Sequence, residues 1–525
     1  MSTKPVQPAA ARQAVQPVVS GNVPVVYIHP AKQGIRFDPE NIGRPYGVIP
    51  VGAPALINTL RAQGIRVRGV NYPMEKQRSP KFDLGQWVQG QRGVRVILID
   101  MHWYEHTYGA VETARLCKQV APWAWTILGG LTASGFARQI MENIAEVDFV
   151  VRGDAEQPLL ALTQRLLQSG GRAPRPVDVA DIPNLTYRAN GQVIENPLGY
   201  IGAPSDLDAL DFVDISFLAH AQEYHVHEYI VTDIQEARAN LERQTPFLGR
   251  WLCTARGCQY HCSYCGGDKN AHKILAGRSG LVTRSPEKIV DDLKRLARAG
   301  VHQASMSYDI AELGRDYWET LFLYLRESGV RIGIYNEFFQ KPTPDFIQEF
   351  AQCVNMPHSC VAVSPLSGNE RVRRLNGKHY SNEQLFETLS ALRLYPFHLF
   401  VYFSLNLPGE TEETLEETVG LARKIYEFYP LPYLKILNTV HTLDPLSPMS
   451  VSPEKYGIQV NATSFMDFYA YCRDTQLADP AARNGLHRGF ELAAAQGRDL
   501  ERMANRWDAE RRGREISWWP VPPSW

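Results

Sequence analysis

The sequence predicts an α/β protein. A doubly wound, Rossmann-like domain comes first, then a partial (β/α)6 barrel, then a small, mostly helical C-terminal piece. Three observations predict this. Short apolar runs alternate with amphipathic segments between Val23 and Gln168, the signature of a parallel sheet. About six further strand–helix units follow from Gly249. The 525 residues allow roughly two to four domains at ~150 residues each.

The first sheet reads strand by strand. Val23–Ile28, Ile65–Val70, Val94–Asp100, Trp125–Leu128 and Val147–Val151 are apolar runs bounded by Gly, Pro or Asn, as buried parallel strands are. Helices are predicted over 52–63, 109–120 and 157–168. Ligands of such sheets sit beyond the carboxyl ends of the strands. Arg66 and Arg68 are explained by an edge position for the second strand. In the connector 171–245, Asn190-Gly191 between two alternating runs predicts a hairpin. Ser285-Pro286-Glu287 opens a helix, with Ser as N-cap and Pro in the first turn. Strands at 302–307, 331–335, 360–364, 398–405 and 433–439 then alternate with helices at 315–327, 344–353, 382–394 and 412–428. The expected domains are a disordered leader over 1–22, the first sheet domain over 23–170, the connector, the barrel over 246–448 and the C-terminal piece over 449–525. The tail Ser517–Trp525, rich in Trp and Pro, cannot be helical; it packs on the barrel or lines its cavity.

Composition narrows the function. The net charge is -1 and no long basic run appears, so neither nucleic acid nor an anionic membrane surface is the expected partner. No apolar run approaches the ~18 residues of a membrane span. Four of the eight cysteines fall between Cys253 and Cys265 and the rest are scattered. That distribution points to an intracellular, cytoplasmic metal-binding chain and not to a disulfide scaffold.

The stretch Gly257-Cys-Gln-Tyr-His-Cys-Ser-Tyr-Cys-Gly-Gly267 carries the chemistry. Cys258, Cys262 and Cys265, spaced C-x3-C-x2-C, can hold three corners of a [4Fe-4S] cluster and leave one iron open. A zinc site completed by His261 or Cys253, or a disulfide pair, are the alternatives. With Tyr264 before the third cysteine, the motif resembles that of the radical S-adenosylmethionine (SAM) superfamily. That resemblance implies a cluster whose open iron takes the amino and carboxylate groups of SAM. Asn406-Leu-Pro-Gly-Glu-Thr411, Arg373–Lys378 and Leu443–Pro448 resemble further segments of the same superfamily. Upstream, Pro45-Tyr46-Gly47, Gly129-Gly130 and Arg152-Gly-Asp-Ala-Glu156 resemble the cobalamin-binding domain of B12-dependent members.

The resemblance as a whole is to cobalamin-dependent radical-SAM methyltransferases, and within them to those that methylate C2 of tryptophan in thiopeptide antibiotic biosynthesis. It implies Tyr46, Gly47, His102, Gly129, Gly130 and Gly153 at cobalamin. It places Tyr264, Gly266, Gly267, Ser364 and Ser367 at SAM. Two departures matter. Asp100-Met-His102 imitates the start of a cobalt-ligating loop but follows the third strand, and Glu105 stands where a glycine is usual; cobalamin is then expected without a histidine on its lower face. Ser364-Pro365-Leu366-Ser367-Gly368 replaces the Gly-x-Glu-Ser-Gly whose glutamate helps hold SAM in relatives. The implied activity is therefore methyl transfer from SAM through methylcobalamin to a nucleophilic ring carbon, by a polar route. Tyr308, Asp309, Asn336 and Glu337, at the ends of the second and third barrel strands, are the expected substrate-binding or catalytic groups. The expected partners are tryptophan as substrate and an external electron donor such as flavodoxin. A radical C-methyltransferase acting on an sp3 carbon is the alternative, and a non-catalytic cobalamin or redox sensor a more distant one.

Overall fold

A computed structural model describes residues 22–32, 47–170, 177–230, 234–477, 489–492, 499–511 and 516–518. Five parallel strands start the chain: β1 (Val25–His29), β2 (Val67–Asn71), β3 (Val96–Asp100), β4 (Trp125–Gly129) and β5 (Phe149–Val151). They lie in the order β2-β1-β3-β4-β5. β1 and β3 are buried along their whole length, which is why they read as unbroken apolar runs. The chain reverses direction across the sheet between β1 and β3, so their carboxyl ends open a crevice there.

The sheet runs past the expected boundary at residue 170. β6 (Leu185–Ala189) pairs antiparallel with β5, and β7 (Gln192–Glu195) with β6. The two-residue loop between them is Asn190 (φ 52°) and Gly191 (φ 77°), the left-handed pair that a tight hairpin turn requires. The edge position predicted for β2 holds, and its outer side is partly covered: the Gly69 N–H donates to Phe217 O at 2.7 Å and Ala219 N to Gly69 O at 2.8 Å. Arg66 is exposed and Arg68 reaches Gln91 at 3.2 Å, so neither lies at the crevice end of the strand.

The second body is a seven-stranded, all-parallel sheet. After β8 (Gly249–Leu252) comes a two-stranded ribbon of β9 (Ala255–Arg256) and β10 (Val282–Thr283) flanking the cysteine motif. Then follow β11 (Gln303–Met306), β12 (Gly333–Phe338), β13 (Cys360–Leu366), β14 (His398–Leu405) and β15 (Leu434–Val440), each after a helix. The order β8-β11-β12-β13-β14-β15 is that of a partial barrel. Strand alternation sorts its side chains. Ile334 and Phe338 face the helices, whereas Tyr335, Ala362, Phe400 and Leu437 fill the interior. The helix Pro286–Arg298 shows how locally the sequence writes these units. The Ser285 hydroxyl accepts from Lys288 N at 3.4 Å, Pro286 opens the first turn, and Ile289, Val290, Leu293 and Leu296 are buried on one face.

The described helices of the C-terminal piece pack on both bodies. The helix Phe465–Leu477 packs on Thr107–Val120 of the first body, with Phe465, Phe468 and Cys472 in that core. A small antiparallel pair, β16 (Ile458–Val460) and β17 (Phe490–Leu492), lies beside it. The helix Leu500–Arg511 instead packs on the barrel helix Glu412–Phe428, burying Trp507. The last strand, β18 (Ile516–Trp518), extends the barrel sheet beside β15. Each helix has one apolar face and no partner of its own, so the two find cover on different bodies. Of the Trp-rich tail only 517–518 are described; residues 1–21 of the leader lie outside the described residues.

Three imidazoles sit where burial disfavours their charged form: His102, His225 and His441 are each lowered to about 4. Their unfolded value is about 6.5, so the unfolded chain takes up protons first as the pH falls. Stability should therefore be lost between about pH 6.5 and pH 4, by up to ~3 kcal/mol per histidine. Urea midpoints measured across that range check this; a flat profile contradicts it.

Candidate cofactor and active site

The cysteine motif lies at the carboxyl end of β8, where barrel folds place their chemistry. The loop is fixed from four sides. The Ser263 hydroxyl donates to Asn376 Oδ1 at 2.5 Å, and Asn376 Nδ2 donates to Pro408 O at 3.0 Å. The Gly266 N–H donates to Asp444 Oδ2 at 2.8 Å. Asp268 caps the helix Lys269–Ala276 through Asn270 N and Ala271 N and holds His261 with its other oxygen. The Tyr260 hydroxyl donates to Glu312.

The donor set fits a three-cysteine cluster. Backbone N–H groups of Tyr260 and Gly267 point at the Cys258 and Cys265 sulfurs, each at 3.4 Å, which favours the thiolate form. Burial alone pushes all three thiols up, so thiolate formation here is coupled to metal binding. At Gly377 a side chain would enter the space of Cys262, 2.8 Å from its Cα and 3.0 Å from its sulfur. The zinc alternative loses its fourth ligand: Cys253 is buried in the barrel's outer core and His261 is paired with Asp268.

The barrel interior beside the cluster loop holds polar atoms that nothing satisfies. Among the described residues, Trp251 Nε1, Ser305 Oγ and His441 Nε2 are buried without a hydrogen-bond partner, and the Tyr308 hydroxyl lies beside Cys258. Buried polar groups are nearly always paired, so these atoms are available to a polar ligand. The Tyr264 ring stacks on His441 at 4.5 Å. Burial and the nearby Cys258 keep the Tyr308 phenol protonated, leaving it a hydrogen-bond donor. Glu337 projects from β12 on the same side as Tyr335 and accepts from the Ser364 hydroxyl at 3.0 Å.

Three residues expected at the site are bonded to the surrounding scaffold. Asp309 and Asn336 bond each other at 3.0 Å, Asp309 also accepts from Phe339 N at 2.8 Å and Ala311 N at 3.0 Å, and Asn336 accepts from Ile310 N. They lock the ends of β11 and β12 together. Asn336 has the parity of Ile334 and Phe338, which face the helices. Ser367 is fully buried against the helix Glu412–Phe428, 3.2 Å from the Thr418 hydroxyl.

The carboxyl end of β4 in the first sheet faces this loop. A methyl group on Gly267 would lie 3.9 Å from Leu131 Cδ1, immediately after Gly129-Gly130. One at Gly135 would lie 2.9 Å from Leu446. The Tyr104 hydroxyl is bonded to Thr442. The Arg152–Glu156 segment closes the join with ions. Asp154 takes Arg278 and the Gly202 N–H on one oxygen and Arg256 at 3.4 Å on the other, while Arg256 also pairs with Glu156. Arg256 directly precedes the cysteine motif, so this segment clamps the cluster loop to β5.

The glycines implied at cobalamin have local duties as well. Gly130 (φ 117°) sits where a side chain would come within 2.7 Å of the Met101 O and His102 Cα. Gly153 (φ 61°) leaves room for Ala276, 2.8 Å from where its Cβ would be. Gly47 packs near Met74, and Gly129 contacts Val151. His102 stands at the end of β3 beside Trp103 (4.9 Å), neutral by burial. Tyr46 lies outside the described residues. Sequence reasoning missed Trp251, Ser305 and His441; the alternation of β8 and β11 already places Trp251 and Ser305 on the interior face.

Comparison with known proteins matches residues 252–422 to the family described as the radical SAM superfamily. This part of the chain is similar to a radical SAM domain. The chain's fold is similar to those of two solved enzymes. It is similar to the radical SAM methyltransferase TsrM from Kitasatospora setae, solved with tryptophan and a SAM analogue, at TM-score 0.60 and 15% identity over 84% of this chain and 79% of that one. It also resembles the cobalamin-dependent radical enzyme OxsB, solved with aquacobalamin and SAM, at TM-score 0.51 and 15% identity over 79% and 53% of the two chains. Among curated sequences it is 21% identical to an uncharacterized methyltransferase of Pyrococcus horikoshii, over 61% of this chain and 62% of that protein. It is 22% identical to the anaerobic magnesium-protoporphyrin IX monomethyl ester cyclase of Cereibacter sphaeroides, over 60% and 47%. The chain thus spans between about half and three fifths of the length of the curated relatives it matches. No described helix is long and apolar enough to cross a membrane.

Proposed function

We propose that this chain is a cobalamin- and SAM-dependent C-methyltransferase that methylates C2 of tryptophan by polar transfer. The observation that carries this reading is the juxtaposition of the cysteine loop with the carboxyl end of β4 in the first sheet, Gly267 against Leu131. The tryptophan held by the fold neighbour from Kitasatospora setae supports the choice of substrate. The polar route is supported by the fourth-strand loop, where Pro365 and the left-handed Leu366 (φ 64°) stand in place of a carboxylate.

Cys258, Cys262 and Cys265 would hold the cluster, and the ends of β1, β3 and β4 would hold the corrinoid. Together these groups supply SAM binding and a carrier for its methyl group. The chain's own residues do the rest. Trp251, Ser305 and Tyr308 offer donors in the barrel interior, and neutral His441 offers a nitrogen there that can accept or donate. The walls built from Tyr335, Phe400 and Tyr402 keep bulk water from the reacting carbon. An indole carbon that gains a methyl group must lose its proton, so a neutral imidazole within the same interior is suitably poised to take it.

Loaded protein incubated with SAM and tryptophan should yield 2-methyltryptophan and S-adenosylhomocysteine, with almost no 5′-deoxyadenosine. Absence of product with both cofactors loaded rejects the substrate. A radical methyltransferase acting on an sp3 carbon is the second reading, favoured by the three-cysteine motif itself. It requires an electron donor such as flavodoxin and gives 5′-deoxyadenosine in step with product.

A further inference from the structure

The resemblance to radical-SAM enzymes implies a SAM-holding glutamate after the fourth barrel strand, and here that loop is Ser364-Pro365-Leu366-Ser367. The loop is distorted as well as altered. The β13–β14 register shifts between Val363 and Leu366, and Leu366 adopts a left-handed conformation that few non-glycine residues tolerate. Ser367 is turned outward to Thr418. A carboxylate nevertheless reaches this rim from the neighbouring strand. Glu337 ends β12, opposite Ala362 in register, and its Oε1 accepts from the Ser364 hydroxyl at 3.0 Å.

We infer that Glu337, oriented by Ser364, supplies from the third strand the SAM-binding carboxylate that the fourth strand has lost. This rests on the proposed function and deepens it. The half-exposed carboxylate would accept from the donors SAM carries, its α-ammonium or its ribose hydroxyls. One oxygen is fixed by Ser364 at 3.0 Å. The missing glutamate and the distorted loop then belong to one rearrangement: the charge has moved by one strand, and the serine in its place orients it.

The test uses the full chain, loaded with iron and cobalamin, and reads the SAM dissociation constant by titration calorimetry. The reduced cluster's paramagnetic spectrum with and without SAM is a second readout. Glu337→Gln keeps the shape and removes the charge; it should weaken SAM about tenfold or more. Ser364→Ala should weaken it less, by about threefold, because only the orientation is lost. If Glu337→Gln fails to fold, Glu337→Asp serves, with the charge drawn back by one methylene and SAM again weakened. Parallel titration with 5′-methylthioadenosine, which has the ribose and no ammonium, says which end is held: weakening of both ligands assigns the ribose, weakening of SAM alone the ammonium. Folded Glu337 variants that bind SAM as the wild type does, with an unchanged cluster response, overturn the inference and leave the proposed function standing. A wild type that binds no SAM overturns both.

Discussion

Replacement of any one of Cys258, Cys262 and Cys265 by alanine is expected to abolish stable iron binding and, with it, the proposed methyl transfer. The three thiols share one short loop that Asn376, Asp444, Asp268 and Glu312 hold in place, so the scaffold survives while a corner of the cluster is lost. A cluster with two protein ligands has two open irons and no basis for retention. The anaerobically reconstituted variants should lack the brown cluster absorbance and bind little iron. Cys253→Ala, which alters a core thiol on the outer side of the barrel, should keep both. A single-cysteine variant of the motif that retains full iron would contradict the site. The effect on turnover is expected to exceed a hundredfold, or about 3 kcal/mol of barrier.

The second large effect concerns how the two bodies are joined. Arg250 on β8 and Glu228 in the connector helix Ala221–Glu228 form an ion pair with both side chains fully buried. Arg250 Nη1 reaches the two carboxylate oxygens at 2.8 and 3.0 Å, and Nη2 donates to Phe212 O at 3.0 Å. Tyr224 donates to Glu228 at 2.9 Å and accepts from Ile49 N at 2.8 Å, which brings in the first body. Removing one partner leaves a charge in an interior that cannot solvate it. Arg250→Ala should therefore cost about 3–5 kcal/mol, read as a fall in the urea midpoint. The double variant Arg250→Met, Glu228→Leu should recover most of the loss, since the pair's attraction barely offsets its desolvation. If the single variant costs under about 1 kcal/mol, as an exposed pair would, the pair does not hold the join.

Much of the fold was legible in the chain because it is built from local signals. Unbroken apolar runs gave β1 and β3, Asn190-Gly191 gave the hairpin, and Ser285-Pro286 gave a helix start. Cysteine spacing gave the cluster loop. What was not legible depends on partners distant in sequence. The clamp of Asp154 by Arg256 and Arg278 joins residues more than a hundred positions apart, and the motif containing Asp154 reads equally well as a ligand loop. The C-terminal helices show one apolar face each, and nothing in that periodicity says which body covers it. Asp309 and Asn336 were placed at the rim by their position at strand ends. Strand alternation contained the correction, for Asn336 cannot share a side with both Tyr335 and Glu337. Ser367 looked like a loop residue near SAM because the positive φ of Leu366, which turns it outward, has no sequence signature.

The central claim is that one chain holds an iron–sulfur cluster and a corrinoid facing each other. Metal analysis after anaerobic reconstitution with iron, sulfide and cobalamin tests it most directly. The account requires about four irons and about one cobalt retained per chain after desalting. A chain that keeps its iron and retains no cobalt would contradict it.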